Sequence, residues 1–548
     1  MAPRGSSRRL LAYATVAIPA LVIVPVAGID AGFHAAVKLG ALLVLACLFA
    51  IAARRCRDLT LDEALLGGFA LLAVISTALA SRLADGAAVI GCAIGLFSIA
   101  RSSRACLRGR WDVVEEAVAW AAAGTAGIAL LELAGVHLPW AELRRPESTL
   151  GNRNQLAGYL TIMLPVLMGA VMRRRSFAAP LVVLCVTIVV VSHCRSAYFG
   201  LAVAFASVVV VHAIHRRRGG AAIDRRRAAV VVGAVALGIV LGAMPWPGVT
   251  FGPSVLDSAG RVFEYETGSG HARVVQHQLG FAALARDPAA WLFGFGAGTW
   301  ESLTYSRAHE LGGHAPKMFS GAVPNSDLLR ILLEQGLVGL ALLAAAAFGL
   351  VRRSNDAREG DFVPRAALLA SLVAAGVLAA FDPQLVRPER IALLGVLIGV
   401  GAGSRSPRAM PLPRAGLLSI AIVSAMCALA LLRVASYAAS SRIGVDGGSQ
   451  GLDHFAQRQA LAQSLFPRSS LDERRALALA LQGRCDAADE ALRRFVASHP
   501  HYWGARVEVA QCFARIGRTS EARRIWNDAV AVEPHVRELL ASSDPSRQ

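Results

Sequence analysis

Charge is scarce in this chain. Only 17% of its 548 residues are Asp, Glu, Lys or Arg and 55% are hydrophobic, whereas an ordinary soluble domain is about 25% charged. That balance excludes a disordered chain and argues against a soluble enzyme. Lysine is nearly missing: Lys38 and Lys317 are the only two, so 54 of the 56 basic residues are arginine. The net charge of +18 does not indicate a nucleic-acid partner, because the arginines punctuate apolar runs instead of covering one face of a compact domain. The nine cysteines, at 47, 56, 92, 106, 185, 194, 427, 485 and 512, include no Cys-x-x-Cys and no metal-ligand spacing. No metal site or cofactor is expected, and the cysteines read as small buried apolar residues. No small-residue cleavage site with a soluble domain behind it follows the first apolar run, so that run reads as a retained helix and not a signal peptide.

What the chain has in abundance is long apolar stretches, each about 20 residues and able to cross roughly 30 Å of hydrocarbon. They fall near 10–29, 33–53, 64–80, 84–100, 113–136, 155–172, 177–194, 196–214, 228–246, 326–350, 364–381, 389–403 and 415–433, which makes about thirteen spans. The expected fold is an all-α polytopic membrane helix bundle. Alternate short loops hold 26 arginines, from Arg4, Arg8 and Arg9 to Arg405, Arg408 and Arg414, while the opposite loops hold seven. Positive charge collects in cytoplasmic loops. The amino terminus is therefore expected in the cytoplasm, with the long 247–324 loop and the carboxy-terminal region outside a bacterial cytoplasmic membrane.

The tail after residue 440 reads as a second domain, 450–548. Aligning 471–504 with 505–538 superimposes Gly483 on Gly517, Arg484 on Arg518, Ala488 on Ala522 and Pro500 on Pro534, a period of 34. That is the period of tetratricopeptide helix pairs, and 453–468 looks like the second helix of an earlier, degenerate repeat. A coincidental helical hairpin is the alternative. A linker with Gly444, Gly447, Gly448 and Gly451 is expected to let this domain swing. Its surface is expected to join Arg484, Arg493, Arg494, Arg518, Arg523 and Arg524 with Tyr502, Trp503 and Trp526, a face suited to an acidic polysaccharide or to the polysaccharide export machinery.

Ionisable groups near membrane depth are functional hypotheses by default. Arg195, in Ser192-His193-Cys194-Arg195-Ser196, sits on the outer side between two apolar spans; a snorkelling interfacial arginine is the competing reading. In the long loop, 271–281 reads as an amphipathic helix ended by Asp287-Pro288. Gly294, Gly296 and Gly298 follow without the strand and helix of a dinucleotide fingerprint, so they mark a tight turn with close backbone approach. Pro324-Asn325-Ser326-Asp327 starts the next helix, on which Arg330 and Glu334 lie one turn apart and can pair.

Four motifs in this order resemble the O-antigen ligase and polymerase superfamily: Gly151-Asn152-x-Asn154 through Tyr159, Ser192-x-x-Arg195-Ser196, the Arg273 helix leading to Pro288 and Gly294-x-Gly296, and Glu334-x-Gly336. The resemblance covers residues 140–345. It implies a metal-independent membrane glycosyltransferase of GT-C type, moving a glycan from an undecaprenyl diphosphate carrier to a hydroxyl on a lipid, glycan or protein acceptor outside the membrane. Arg195 and Arg273 occupy the positions that such proteins use on the diphosphate. Asn152, Asn154, Gly294 and Gly296 fall on its substrate-binding motifs. Where ligases of the family usually carry a histidine this chain has Asn325, whose amide can orient a hydroxyl but cannot take its proton. His314, His309 and Asp327 are the alternative bases, Asp327 having an equally good explanation as a helix cap. A transporter of polysaccharide or lipid carrier, and a non-catalytic assembly scaffold, remain competing functions.

Overall fold

The structure, a computed structural model, describes residues 4–22, 31–53, 58–79, 83–107, 109–136, 138, 146–217, 224–247, 268–300, 303, 324–355, 362–402, 410–411, 415–441, 449–466, 469–498 and 502–532. It is all-α and polytopic. The helices of the first region are α1 (Arg4–Leu21), α2 (Ala31–Ala52), α3 (Leu61–Leu79), α4 (Leu83–Leu107), α5 (Trp111–Leu133), α6 (Arg153–Met172), α7 (Ala178–Val191), α8 (Arg195–Arg217) and α9 (Arg225–Ala243). After α10 (Gly268–Arg286) and the short α11 (Pro288–Phe293) come α12 (Asp327–Asn355), α13 (Phe362–Phe381), α14 (Pro388–Ala402) and α15 (Ala415–Ser441).

Among the described residues nine helices are long and apolar enough to cross a membrane: α2 to α6, α8, α9, α12 and α13. The shorter α7, α14 and the apolar part of α15, with the arginine-led α1, occupy the other places where a span is expected. Exposed Leu71, Leu79, Trp120, Val209, Val232 and Phe348 cover the outside of the bundle, which is where a helix that is apolar all round meets lipid. Inside, α4 lies along α14, α2 along α15, α3 along α12, and both α6 and α8 along α13.

The bundle has two chemically distinct ends. At the end that carries the first turn of α1, Arg104 bonds Glu63 at 2.5 Å, and Arg173 and Arg175 reach Glu115 at 3.0 and 3.4 Å. There Asp58–Leu59 and Met410–Pro411 pair as two antiparallel strands. At the far end, Lys38 Nζ donates to Thr149 O at 2.6 Å, and Glu132 accepts the backbone N–H groups of Glu147 and Ser148 at 2.8 and 2.9 Å. The expected ordered part of the 247–324 loop is α10 and α11, also at the far end; 248–267 and 304–323, with His309 and His314, lie outside the described residues.

Beyond α15 are α16 (Ser449–Leu465), α17 (Ser469–Leu481), α18 (Cys485–Ser498), α19 (Gly504–Arg515) and α20 (Thr519–Val532). The 34-residue spacing is visible in the backbone. Gly483 and Gly517 have φ of +75° and +77°, and the next N–H closes back in each case, Arg484 N on Leu479 O and Arg518 N on Phe513 O. Three sequence expectations are corrected here. Cys485 and Cys512 form a disulfide, while cysteines 47, 92, 106, 185, 194 and 427 are free. Gly451 belongs to α16, which docks on α15 through Ser436 Oγ to Ala462 O at 2.9 Å, so it is not part of a swinging linker; Gly444, Gly447 and Gly448 lie outside the described residues. The basic aromatic face is largely neutralised: Arg493 and Arg524 share Asp489, Arg494 meets Asp472 and Glu490, Arg518 meets Asp486 and Glu521, and Trp526 is buried in the core. Charges spaced one turn apart on short amphipathic helices find each other first.

Candidate active site

The far end converges on the turn between α13 and α14, Asp382-Pro383-Gln384-Leu385-Val386-Arg387. Pro383 and Pro388 bound it, and its Gln384 and Leu385 N–H groups donate away from the turn to Asp327. Asp382 is buried, and burial raises its carboxyl above the usual carboxylate range, against the pull of Ser196 and Arg273. Its Oδ2 accepts a short hydrogen bond from Ser196 Oγ, and its Oδ1 faces Arg273 Nη2 at 3.5 Å. Arg273 Nε also donates to Phe381 O at 3.1 Å, at the electronegative end of α13. Nη1 of Arg273 has no partner among the described residues.

Arg195 opens α8 two residues after His193, whose φ of +52° turns the chain out of α7. Its neighbour Ser196 bonds Asp382, the carboxylate that Arg273 also meets, so Asp382 joins the start of α8 to α10. Asn325 joins them through α10: its backbone N–H donates to Gln276 Oε1 at 2.9 Å, one helical turn from Arg273. Of the expected site residues, Arg195, Arg273 and Asn325 therefore share one region.

Asp327 is otherwise placed. It is fully buried, its Oδ1 accepting from Arg330 Nε and Nη2 at 3.0 and 2.8 Å and its Oδ2 from the backbone N–H of Gln384 and of Leu385, the latter at 2.6 Å. Those four bonds occupy both oxygens, and the carboxylate ties α12 to the Asp382 turn. Arg330 extends the tie to Glu334 at 3.2 Å, as the spacing suggested.

The glycines of the long loop are explained by backbone contact. Gly336 breaks α12 with φ +67°. The carbonyls around the break would face hydrocarbon unpaired, at several kcal/mol each. Instead Phe295 N donates to Leu333 O at 2.7 Å and Gly296 N to Glu334 O at 3.0 Å, while Gly298 N caps Glu334 Oε1 at 2.9 Å. A Cβ on Gly294 would lie 2.2 Å from the Glu334 carbonyl carbon, and one on Gly336 would lie 2.2 Å from Leu292 O. Gly294 and Gly296 form a clasp on the broken helix.

Asn152 is likewise engaged, its side chain capping α6 by accepting from Asn154 N at 2.8 Å. The motif continues into an arginine that the sequence reading counted only as loop charge. Arg390, buried to 1% exposure, donates through Nη2 to Gln155 O at 2.6 Å and Asn154 O at 3.5 Å, and through Nη1 to Pro383 O at 3.4 Å. Gly158 makes room for it, since a Cβ there would come within 2.8 Å of Nη2. The Gln155 amide, oriented to serve both neighbours, donates to Leu150 O at 2.9 Å and accepts from Arg387 Nη2 at 2.6 Å. Neither Arg387 nor Arg390 has a carboxylate within 4 Å among the described residues. Asp382, Gln384, Arg387 and Arg390 are thus the residues that sequence reasoning missed. Two arginines between prolines, beside an aspartate in an otherwise apolar stretch, were the available signal.

Among the described residues no group of three His, Cys, Asp or Glu side chains could hold a metal ion. What the geometry offers is a concentration of guanidinium groups, Arg273, Arg387 and Arg390 beside the Asp382 turn, at one end of a membrane bundle. Such a site suits a diphosphate, because guanidinium makes paired, charge-assisted bonds to phosphate oxygens. The O-antigen ligase family model matches residues 180–344, the stretch from α7 to the middle of α12. No curated protein matches the chain.

Proposed function

Taking as premise that residues 180–344 are an O-antigen ligase domain, which supports glycan transfer in O-antigen ligation or polymerisation, we propose that the chain moves a glycan from an undecaprenyl diphosphate carrier to an acceptor hydroxyl. The transfer takes place on the outer face of a bacterial cytoplasmic membrane. The observation that carries this reading is the meeting of Ser196 and Arg273 on Asp382, with Arg195 next in sequence to Ser196, at the far end of the bundle.

In the reaction the acceptor oxygen attacks the anomeric carbon, the bond from that carbon to the diphosphate oxygen breaks, and the electron pair leaves with the diphosphate. Arg273, held in aim by Asp382 and Phe381 O, and Arg195 stabilise the charge that develops there. Asn325 orients the acceptor hydroxyl. With Asp327 enclosed by Arg330 and two backbone amides, the proton acceptor is His314 from the loop, ahead of His309. The arginine asymmetry between alternate loops supports a cytoplasmic amino terminus. The Cys485–Cys512 disulfide supports repeats outside, since disulfides persist in oxidising compartments.

The test is the pool of lipid-linked glycan in a deletion strain complemented with wild type, Arg195→Ala or Arg273→Ala. Loss of a polymerase leaves single repeat units, and loss of a ligase leaves long unattached chains. Either pool in both variants, at normal protein level in the membrane, supports the reading. Wild-type product from both variants would sink it.

A further inference from the structure

An apolar cavity lies away from the arginine-rich turn. It has a volume of about 170 Å³ and is open on one side, between α6, α8, α9 and α13. Pro165, Met168, Leu201, Phe205, Val231 and Ala370 are among its walls, and almost none of the surface it presents is polar. Its residue on α13 nearest the site, Ala370, is twelve positions before Asp382, about 18 Å along a helix. The cavity exists because α9 packs on α7 while α8 packs on α13, so α8 and α9 splay and leave α6 uncovered between them.

A wall without hydrogen-bonding groups excludes sugars, phosphates and ordered water, and is complementary to an alkyl chain. What lies at its mouth is the opposite. Phe362 forms the rim, with the His215 ring stacked on it at 4.2 Å. Around that rim stand the exposed Arg216 and Arg217 at the end of α8, Arg225 and Arg226 at the start of α9, and Arg174 just after α6. Arg227 is spent on Asp224 at 2.9 Å and on Met172 O at 2.6 Å. Among the described residues Arg174, Arg216, Arg225 and Arg226 have no carboxylate within 4 Å. Arg104, Arg173 and Arg175 at the same end are paired with carboxylates.

An apolar slot under an unneutralised arginine rim matches an amphiphile with one negative head and an alkyl tail. We propose that this cavity holds one acyl chain of an anionic phospholipid whose phosphate sits among Arg216, Arg226 and Arg174. Basic pockets between spanning helices on the cytoplasmic side are where such head groups bind. The inference rests on the proposed orientation only for the leaflet that supplies the lipid, and is independent of the transfer chemistry.

The full chain, reconstituted in vesicles of equal parts phosphatidylglycerol and phosphatidylcholine and re-extracted in mild detergent, is read by native mass spectrometry for retained lipid. Wild type is expected to keep phosphatidylglycerol. Ala228→Phe, filling the slot from α9, and Leu201→Phe, filling it from α8, should each lower its retention about tenfold. The double variant Arg216→Gln with Arg226→Gln should keep a lipid but lose the preference for phosphatidylglycerol. Equal retention of both lipids by wild type, or undiminished retention in both filling variants, would overturn the proposal. Displacement of phosphatidylglycerol by an added polyprenyl phosphate would also overturn it, by assigning the slot to the transfer substrate. Variants inactive in glycan transfer but normal in lipid retention would fail the proposed function alone.

Discussion

The two ends of the bundle use the same residue for opposite purposes. At the amino-terminal end three arginines meet carboxylates: Arg104 fits Glu63, itself held in a reciprocal cap with Thr60, and Arg173 and Arg175 close on Glu115. At the far end Arg387 and Arg390 have only carbonyl and amide oxygens, and Arg273 shares a single carboxylate with Ser196. Paired guanidinium groups are struts whose charge is already neutralised. Guanidinium groups bonded to neutral oxygens keep their charge and make the far end attractive to an anion.

The largest expected effect separates these two uses directly. Arg273→Ala should lower transfer at least about 100-fold, the scale for removing a group that stabilises developing charge, with protein level in the membrane unchanged. Arg273→Lys should rescue poorly, because a point charge lacks the paired geometry. Arg104→Ala at the other end should do the reverse, lowering the amount of protein but not the activity per molecule. Equal loss of specific activity in both variants would erase the distinction between ends.

A smaller effect tests how the far end is held. Gly336→Ala meets Leu292 O at 2.2 Å in a left-handed backbone conformation, so the clasp from Phe295 and Gly296 should open and α12 should straighten. Protease sensitivity between α11 and α12 should rise and transfer should fall, while spans near the amino-terminal end stay protected. Unaltered proteolysis would show that the clasp does not organise the site.

Next comes the disulfide. Closing the 27-residue separation between Cys485 and Cys512 stabilises the repeat helices by about 3.5 kcal/mol in the chain-entropy account. Cys485→Ser should therefore lower the melting temperature of the tail and leave the membrane region unchanged. A single, concerted shift of both would mean that α16 couples them more tightly than its docking on α15 suggests.

The smallest effect is in the pH profile. Burial raises the Asp382 carboxyl, so the folded state holds that proton more tightly than the unfolded chain does. The ionised form opposes stability as pH rises through that raised value, and protonation below it deprives Arg273 of its counter-charge. Activity should therefore fall on the acid side above the ordinary carboxylate range, and Asp382→Asn should flatten that limb. An unchanged acid limb in Asp382→Asn would assign it to another group.

Much of this molecule was legible before any coordinates. Apolar run length set the spans, because a bilayer demands about 20 apolar residues per crossing whatever packs beside them. The 34-residue spacing pointed to two similar turns, at Gly483 and Gly517, since each needs the same left-handed glycine. Arg195 and Arg273 stood out as charges beside apolar spans. Other features depended on long-range contact that no local pattern encodes. The sequence spacing did not pair Cys485 with Cys512 or gather Ser196, Arg273 and Asp382 around one carboxylate. The cap that Asn152 makes on α6 and the clasp that Gly294 and Gly296 make on α12 were not legible in the sequence, because caps and clasps need the same small or polar residues that substrates do.

Local composition thus determined which segments enter the membrane and where charge is tolerated, because solvation acts on each residue where it stands. Only the tertiary structure decided which arginines are neutralised and which remain available. That depends on whether a carboxylate from a distant helix lies within about 4 Å, the range over which an ion pair forms.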